Sequence, residues 1–159
     1  MNKVFIVFKT FLLICLFTLS INVYSQKIYL GNSKYDNSIV YTISNGYIYS
    51  GNSTYSSNII GYFDGVHLYR GSSKYNSNII LTYKNRKIYR GNSQYDSDVI
   101  ANYNSGKIYK NLSNYNSDII VTIQNNKLYR GNSTYNLNIL CRSSGYIHPL
   151  IWYFILYNF

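Results

Sequence analysis

The chain repeats itself every 20 residues, six times in succession, with no insertion or deletion between copies. A period of this length is typical of repeat architectures in which each copy supplies the same small unit. The most regular columns hold Ile-Tyr or Leu-Tyr, a Gly two residues later, then a Ser and a second Tyr, as in the copy from Ile88 to Tyr95. The two Tyr columns supply 12 of the 21 tyrosines.

Each copy predicts two short antiparallel β-strands. A β-branched pair such as Ile79-Ile80 continues into residues such as Thr82-Tyr83, which is strand composition. Turn pairs such as Asn45-Gly46 and Asp64-Gly65 then lead into the next Ile-Tyr strand. In the Gly column the single replacement is Asn111, so we expect positive φ there. The prediction is twelve strands and no helix within the repeats.

We expect these strands to close on themselves. An open twelve-stranded sheet would leave two exposed edges, and linear arrays protect their ends with atypical polar repeats. The first copy already matches the pattern at Lys27, and only the last drifts, at Cys141-Arg142-Ser143. The predicted fold is therefore all-β, a shallow closed antiparallel barrel with near six-fold symmetry.

The segment after the repeats is apolar and aromatic, and Pro149 suits the start of a helix. A twelve-stranded barrel leaves a lumen that must be filled, which predicts a plug. The alternative is a foot that dips into a membrane interface. Either role would fall on the same five residues, which are Leu150, Ile151, Trp152, Phe154 and Ile155.

Residues 1–25 resemble a secretory signal peptide. Lys3 and Lys9 precede an apolar run from Phe11 to Leu19, and Val23 and Ser25 suit cleavage before Gln26. A retained anchor is the alternative, although the run is short for a span of roughly 20 residues. Cleavage would lower the formal charge from +10 to +8, because it removes two lysines. The expected organisation is 1–25 signal peptide, 26–146 repeat domain and 147–159 apolar segment, in an exported protein.

Cys141 would then be the one remaining cysteine, so no internal disulfide can form. Its equivalents in other repeats are mostly apolar, including Leu81, Ala101 and Val121. We therefore expect a small buried residue. The alternative is a thiol that pairs between chains.

The sequence gives little support for catalysis or for metal binding. His67 and His148 are not paired with a carboxylate by local spacing, and the chain contains no Glu. Asp36, Asp96, Asp98 and Asp118 share loop columns with Asn and Ser, where short polar side chains cap turns. Four acids over six loops make a poor Ca²⁺ site. We expect no enzyme, no metal and no cofactor.

The repeats instead place a positive charge at the same position in several copies. In a closed ring, one column would become a circle of cations, and it contains Arg70, Arg90, Lys110 and Arg130. A second column holds Lys87, Lys107 and Lys127. Clustered positive charge attracts anionic lipid or acidic polysaccharide. The alternative is a solvated rim that only keeps the protein soluble. Nucleic acid is not expected, because export would separate the chain from it.

The repeats resemble the β-flower proteins, small and mostly exported bacterial chains whose copies read Ile-Tyr-x-Gly-Asn-Ser-x-Tyr-x-Ser-Asp-Ile-Ile. The pattern appears here from Ile88 to Ile100 and from Leu128 to Leu140. The resemblance covers residues 27 to about 146 and departs at Leu112, which replaces the loop Asn. It implies a shallow symmetric barrel of the six-fold type. That family in turn is similar in shape to the Tubby-like barrel, which carries a central hydrophobic helix and meets membranes.

These patterns predict a non-enzymatic exported protein that associates with the cell envelope or an anionic membrane surface. One alternative is a soluble module that binds glycans or cell wall through exposed tyrosines. Aromatic hairpin repeats of that kind depend on paired Trp and Tyr, whereas the one Trp here lies outside the repeats. The other alternative is a purely structural surface protein, and the repeated charge disfavours stacking into fibres.

Overall fold

The computed structural model describes residues 25–158, so the predicted signal peptide lies, apart from Ser25, outside the described residues. Six two-strand units are followed by one helix. The strands are β1 Gln26–Leu30, β2 Ile39–Ser44, β3 Tyr47–Ser50, β4 Ile59–Phe63, β5 His67–Arg70, β6 Ile79–Lys84, β7 Lys87–Arg90, β8 Val99–Asn104, β9 Lys107–Lys110, β10 Ile119–Gln124, β11 Lys127–Arg130 and β12 Ile139–Ser143. The helix, α1, is Pro149–Leu156.

The sheet is closed, as predicted. Each strand pairs antiparallel with its neighbours in sequence, and β1 also pairs with β12. Across this seam Ile28 lies opposite Ser143 and Leu30 opposite Cys141. The drifted sixth copy therefore still forms a strand, because main-chain pairing does not depend on the side chains that differ. Closure removes both exposed edges.

The barrel has two different ends. At the turn side, two-residue turns join β2 to β3, β6 to β7, β8 to β9 and β10 to β11, and both residues of each turn have positive φ, as in Asn45-Gly46. At the loop side, eight-residue loops join each odd-numbered strand to the next even-numbered one. The Gly column begins these loops with φ between 58° and 71°, and Asn111 has φ 49°. Positive φ in this column is therefore confirmed.

One turn differs from its prediction by one residue. Phe63 lies opposite Leu68, so Gly65 and Val66 occupy the turn, and Asp64 directly follows β4 rather than lying in the turn. Gly65 has φ 105°. The Asp64 carboxylate accepts hydrogen bonds from the backbone N–H groups of Val66 and His67, at 2.8 and 2.6 Å, which fixes this turn.

The loops fold back over the outside of the barrel. Thr82 and Tyr89 alternate with the lumen-facing residues and so point outward, yet they are buried. Thr82 Oγ1 donates a 2.7 Å hydrogen bond to the Gly91 carbonyl, and Lys87 Nζ lies 2.7 Å from Asp96 Oδ1. Each loop also contains a single 3₁₀ turn, such as Asp96–Asp98, which the repeat pattern did not predict. The wall is thus a strand layer with a loop layer outside it.

Helix α1 fills the lumen. It begins at Pro149, as predicted, with His148 as its N-cap. Its residues join the lumen-facing column Ile28, Ile48, Leu68, Ile88, Ile108 and Leu128 in one hydrophobic core. A helix that is apolar on every side must be buried on every side, and a ring of strands provides that environment.

Candidate functional site

The four predicted rim cations lie together at one opening of the barrel. Arg70, Arg90, Lys110 and Arg130 are each the last residue of an odd-numbered strand, and all four are exposed. Strand alternation places them on the lumen-facing side, two residues beyond the fully buried Ile or Leu column. We call this opening the loop-side mouth and these four residues the basic rim. In the first two repeats the rim position holds Leu30 and Ser50, so the circle of charge is incomplete.

The C-terminal end of α1 emerges inside the basic rim. Arg70 lines a cavity together with Tyr157 and Asn158, and Arg130 lines a second cavity with Leu156. The N-terminal end lies at the turn side, where the His148 ring contacts Phe63 and Tyr83 at centroid distances of 4.8 and 4.6 Å. The partial negative charge of a helix C-terminus attracts cations, so helix and rim are complementary.

The helix end is fastened to the wall. The Tyr41 hydroxyl donates a 2.7 Å hydrogen bond to the Asn158 carbonyl, and Asn158 Nδ2 donates a 2.7 Å bond to the Phe154 carbonyl. Burial, followed by a hydrogen bond with Tyr157, raises the pKa of Tyr153, while the charge of Arg90 acts in the opposite direction. Tyr153 is therefore neutral near pH 7. The described end of the helix is thus held against the wall, and Tyr153 adds no charge there.

An apolar circle lies just inside the basic rim. It consists of residues at the strand irregularities, which sequence reasoning treated only as strand formers, and its members are Val40, Ile60, Ile80, Ile100, Ile120 and Leu140. All six are half-buried and pack against the core. The mouth therefore presents apolar surface that is bordered by positive charge in four of the six repeats, an arrangement that suits amphiphilic or membrane ligands.

The second basic column is partly neutralised. Lys87 pairs with Asp96 at 2.7 Å, and Lys27 pairs with Asp36 at 3.7 Å, both on the outer wall. The hydrogen bond with Asp96 is the main cause of a raised pKa for Lys87. No ion pair among the described residues involves a member of the basic rim. The positive charges of the basic rim are therefore exposed at the mouth and are not neutralised by these ion pairs.

The five residues of the apolar segment lie inside the barrel. Leu150, Ile151, Trp152, Phe154 and Ile155 are between 0 and 8% exposed. This is the arrangement of the plug alternative, whereas a membrane foot needs these side chains at the surface. The physical reason is the lumen, which would be empty without them. Among the described residues, no helix is long and apolar enough to cross a membrane.

The interpretation that neither histidine is paired with a carboxylate by local spacing was wrong for His67, which follows Asp64 by three residues. His67 Nδ1 lies 3.2 Å from Asp64 Oδ2, which also accepts a 2.9 Å hydrogen bond from the Tyr69 hydroxyl. Partial burial acts to raise the pKa of Asp64, but hydrogen bonds from the His67 and Val66 backbone and from Tyr69 and His67 side chains outweigh it and lower the pKa to about 2. Asp64 and His67 flank the Gly65-Val66 turn and are three residues apart, so their spacing along the chain was a signal that the sequence analysis overlooked. The cluster fixes a turn.

Two further acids, in the eight-residue loops, hold turns. Asp98 and Asp118 accept 2.5 Å hydrogen bonds from Ser93 and Ser113. The same Ser column accepts a hydrogen bond from the backbone N–H of each second-column Tyr, at 3.1 to 3.2 Å. This explains why the Ser column is unbroken. In residues 25–158 no three His, Cys, Asp or Glu side chains cluster in a way that could hold a metal.

Cys141 is fully buried in the core, as expected from its apolar equivalents. Burial raises the pKa of its thiol to about 12. The thiolate is the reactive form, so pairing between folded chains through Cys141 is disfavoured.

The second Tyr column is the most exposed aromatic feature. Its six side chains are 77–78% exposed, and they are Tyr35, Tyr55, Tyr75, Tyr95, Tyr115 and Tyr135. Since each loop lies on the outer wall, these rings encircle the barrel away from the mouth. Trp152, by contrast, is 1% exposed.

The fold and the mouth together define a six-fold, all-β repeat barrel with a filled lumen. A family model described as 6-fold beta flower protein matches residues 28–152. The chain belongs to this β-flower family, as its repeats indicated. No curated protein and no solved structure matches the chain.

Proposed function

We propose that this β-flower protein is exported, has no enzymatic role, and associates with an anionic surface of the cell envelope through its loop-side mouth. The main support for the proposal is that Arg70, Arg90 and Arg130 all lie at the same end of the barrel, beside the C-terminal end of α1. Lys110 occupies the same position in its repeat.

Two further features support this orientation. The apolar circle inside the rim can contact acyl chains while the rim contacts headgroups, the arrangement that interfacial proteins use. Each basic residue near an anionic membrane contributes about 1 kcal/mol to binding, so four can act together where one would be weak. Export rests on the signal-like residues 1–25. The absence of an enzymatic role is proposed because the described acids that form hydrogen bonds or ion pairs hold turns and outer-wall contacts.

Co-sedimentation with phosphatidylglycerol vesicles tests the proposal. The protein beginning at Gln26, which contains the complete barrel, should pellet at low salt and be released at about 0.5 M NaCl, because salt screens exposed charge. The quadruple variant Arg70→Gln, Arg90→Gln, Lys110→Gln, Arg130→Gln should lose binding at least tenfold.

A matched variant separates location from net charge. Replacing four lysines away from the mouth with Gln changes the formal charge equally, and these are Lys34, Lys84, Lys107 and Lys127. This control should retain at least half of the binding. Equal losses in the two quadruple variants would show that net charge alone attracts the protein and would reject the mouth as the contact site.

Binding to cell-wall glycan is a second candidate function, favoured by the six exposed tyrosines of the outer wall. Flat aromatic rings with one polar end suit contact with sugar surfaces. Pelleting with purified cell wall that is lost on replacing Tyr75, Tyr95 and Tyr115 with Ala, and retained in the rim variant, would support this function over the first.

A further inference from the structure

Of the two mouth cavities described above, the larger lies on one side of α1. It has a volume of about 680 Å³ and lies between the end of the helix and the wall of the first to fourth repeats. Its apolar part includes Ile60, Ile80 and Phe154. Small-molecule sites commonly have volumes of 300–1,000 Å³ and combine apolar walls with a few polar groups, so its size and lining suit one small ligand.

The near six-fold symmetry is broken at this cavity. The rim position of the second repeat holds Ser50, where four later repeats carry Arg or Lys, and Ser50 lines the cavity next to Arg70. A short side chain at this point leaves an opening between the rim cations and the first repeat. On the other side of the helix end, the cavity beside Ile120 and Arg130 is about 400 Å³.

Charge decides which class of ligand fits. Among the described residues that line it, Arg70 is the charged side chain and none is acidic. Tyr157 and Asn158 add polar groups at the open end. An uncharged alkyl chain would satisfy the Ile and Phe surface but leave the guanidinium without a partner. A carboxylate or phosphate headgroup can form the paired hydrogen bonds that Arg favours.

We propose that this cavity, the mouth cavity, binds a single-chain anionic amphiphile, with the alkyl chain against Ile60, Ile80 and Phe154 and the headgroup at Arg70. The inference rests on the proposed function, because Arg70 also belongs to the basic rim. It adds a defined ligand class and a stoichiometry of one.

Titration with laurate, below the concentration at which it forms micelles, tests the site directly. The protein beginning at Gln26 is observed through the methyl NMR signals of its isoleucines. The signals of Ile60, Ile80 and Ile100 should shift and saturate at one laurate per chain, while that of Ile147, buried near the turn side, stays unchanged. Lauryl phosphate should give the same pattern, and dodecanol should bind at least tenfold more weakly.

Two substitutions at equivalent repeat positions provide the control. Ile80→Trp fills the mouth cavity and should weaken laurate binding at least tenfold, whereas Ile120→Trp, on the other side of the helix, should change it less than threefold. Arg70→Gln should weaken laurate but not dodecanol. Thermal melting confirms that each variant is folded.

The outcomes are distinguishable from those of the vesicle experiment. Ile80→Trp retains all four rim cations, so it should still bind anionic vesicles when it no longer binds laurate. Laurate that shifts none of the three isoleucine signals in the unmodified protein overturns the mouth cavity as a site, whatever the vesicles show. Equal weakening by Ile80→Trp and Ile120→Trp would also overturn it, since it would mean adsorption to the whole apolar circle.

Discussion

Leu30, the last residue of β1, lies opposite Cys141 of β12, so the two ends of the repeat array meet at the loop side of the barrel. Residues opposite each other in an antiparallel pair point to the same face of the sheet. Cys141 is buried on the lumen side, and Leu30 reaches the mouth beside it.

This pair allows the closure to be tested covalently. In a protein beginning at Gln26, where Cys141 is the one native cysteine, Leu30→Cys should form a disulfide on oxidative refolding, because paired strand positions lie within disulfide range. The bond should raise the free energy of unfolding by about 4 kcal/mol, since it closes a loop of over a hundred residues. Mass spectrometry detects the disulfide, and urea unfolding measures the change in the free energy of unfolding.

The control occupies the same column in the next repeat. Ser50 lies opposite Tyr41, not Cys141, so Ser50→Cys should leave two free thiols. Disulfide formation in Ser50→Cys but not in Leu30→Cys would contradict the observed seam.

The carboxylate of Asp64 should make the free energy of unfolding depend on pH in the acid range. Its pKa is lowered to about 2 from 3.8, so its contribution to stability is complete above about pH 4 and is lost as pH falls toward 2. Asp64→Asn should lower the free energy of unfolding by about 1 kcal/mol at pH 7, after allowance for solvent screening. In urea titrations the variant and the unmodified protein should converge near pH 2. A difference that stays constant with pH would mean that the charge of Asp64 is not involved.

His148, the N-cap of α1, should make the free energy of unfolding depend on pH near neutrality. Nδ1 of its ring accepts a 3.2 Å hydrogen bond from the Leu150 backbone N–H, which requires the neutral form, and burial lowers the pKa of His148. A lowered pKa in the folded state means that the contribution is complete above the ordinary value of about 6.5 and declines as pH falls below it.

His148→Asn measures this contribution. Asn is a good N-cap but cannot titrate here. The unmodified protein should lose stability between pH 7.5 and 5.5, and the variant should lose less, although it is less stable at both values without the ring contacts to Phe63 and Tyr83. Equal losses over this range, measured by urea unfolding, would show that His148 does not titrate with unfolding.

Part of this fold could be predicted from local pattern and part could not. Closure, the positive φ column and the helix start at Pro149 follow from the repeat period and from residue chemistry that acts within a few positions. The packing of Thr82 under its loop and the mouth cavity depend on strand register and on how far α1 extends, which local pattern does not give. The Asp64–His67 pair is different, because its two residues are three positions apart and the pair was overlooked rather than hidden.

A single substitution in the Gly column should show how much free energy a residue with a Cβ loses by adopting positive φ. Gly91 has φ 58°, and an added Cβ would meet only Ile79 O at 3.8 Å, so backbone strain rather than a clash decides the effect. Gly91→Ala should lower the free energy of unfolding by about 1 to 2 kcal/mol. Gly91→Asn should cost less, because Asn111 already occupies this position in the fifth copy.

Gly145 is the matched control, because its φ lies outside the positive region and its added Cβ would make an ordinary contact, 3.6 Å from Gln26 Cγ. Gly145→Ala should change stability by less than about 0.5 kcal/mol. Similar losses at Gly91 and Gly145 in urea unfolding would contradict the assigned role of positive φ.

The proposed orientation on a membrane can be measured directly with vesicles that carry a spin-labelled anionic lipid headgroup. In the protein beginning at Gln26, the amide NMR signals of Arg70, Arg90 and Arg130 should broaden first and most. Those of Asn45, Asn85 and Asn125, at the turn side, should keep their intensity. Broadening centred on the turn side, or on the exposed tyrosines of the outer wall, would contradict binding through the loop-side mouth.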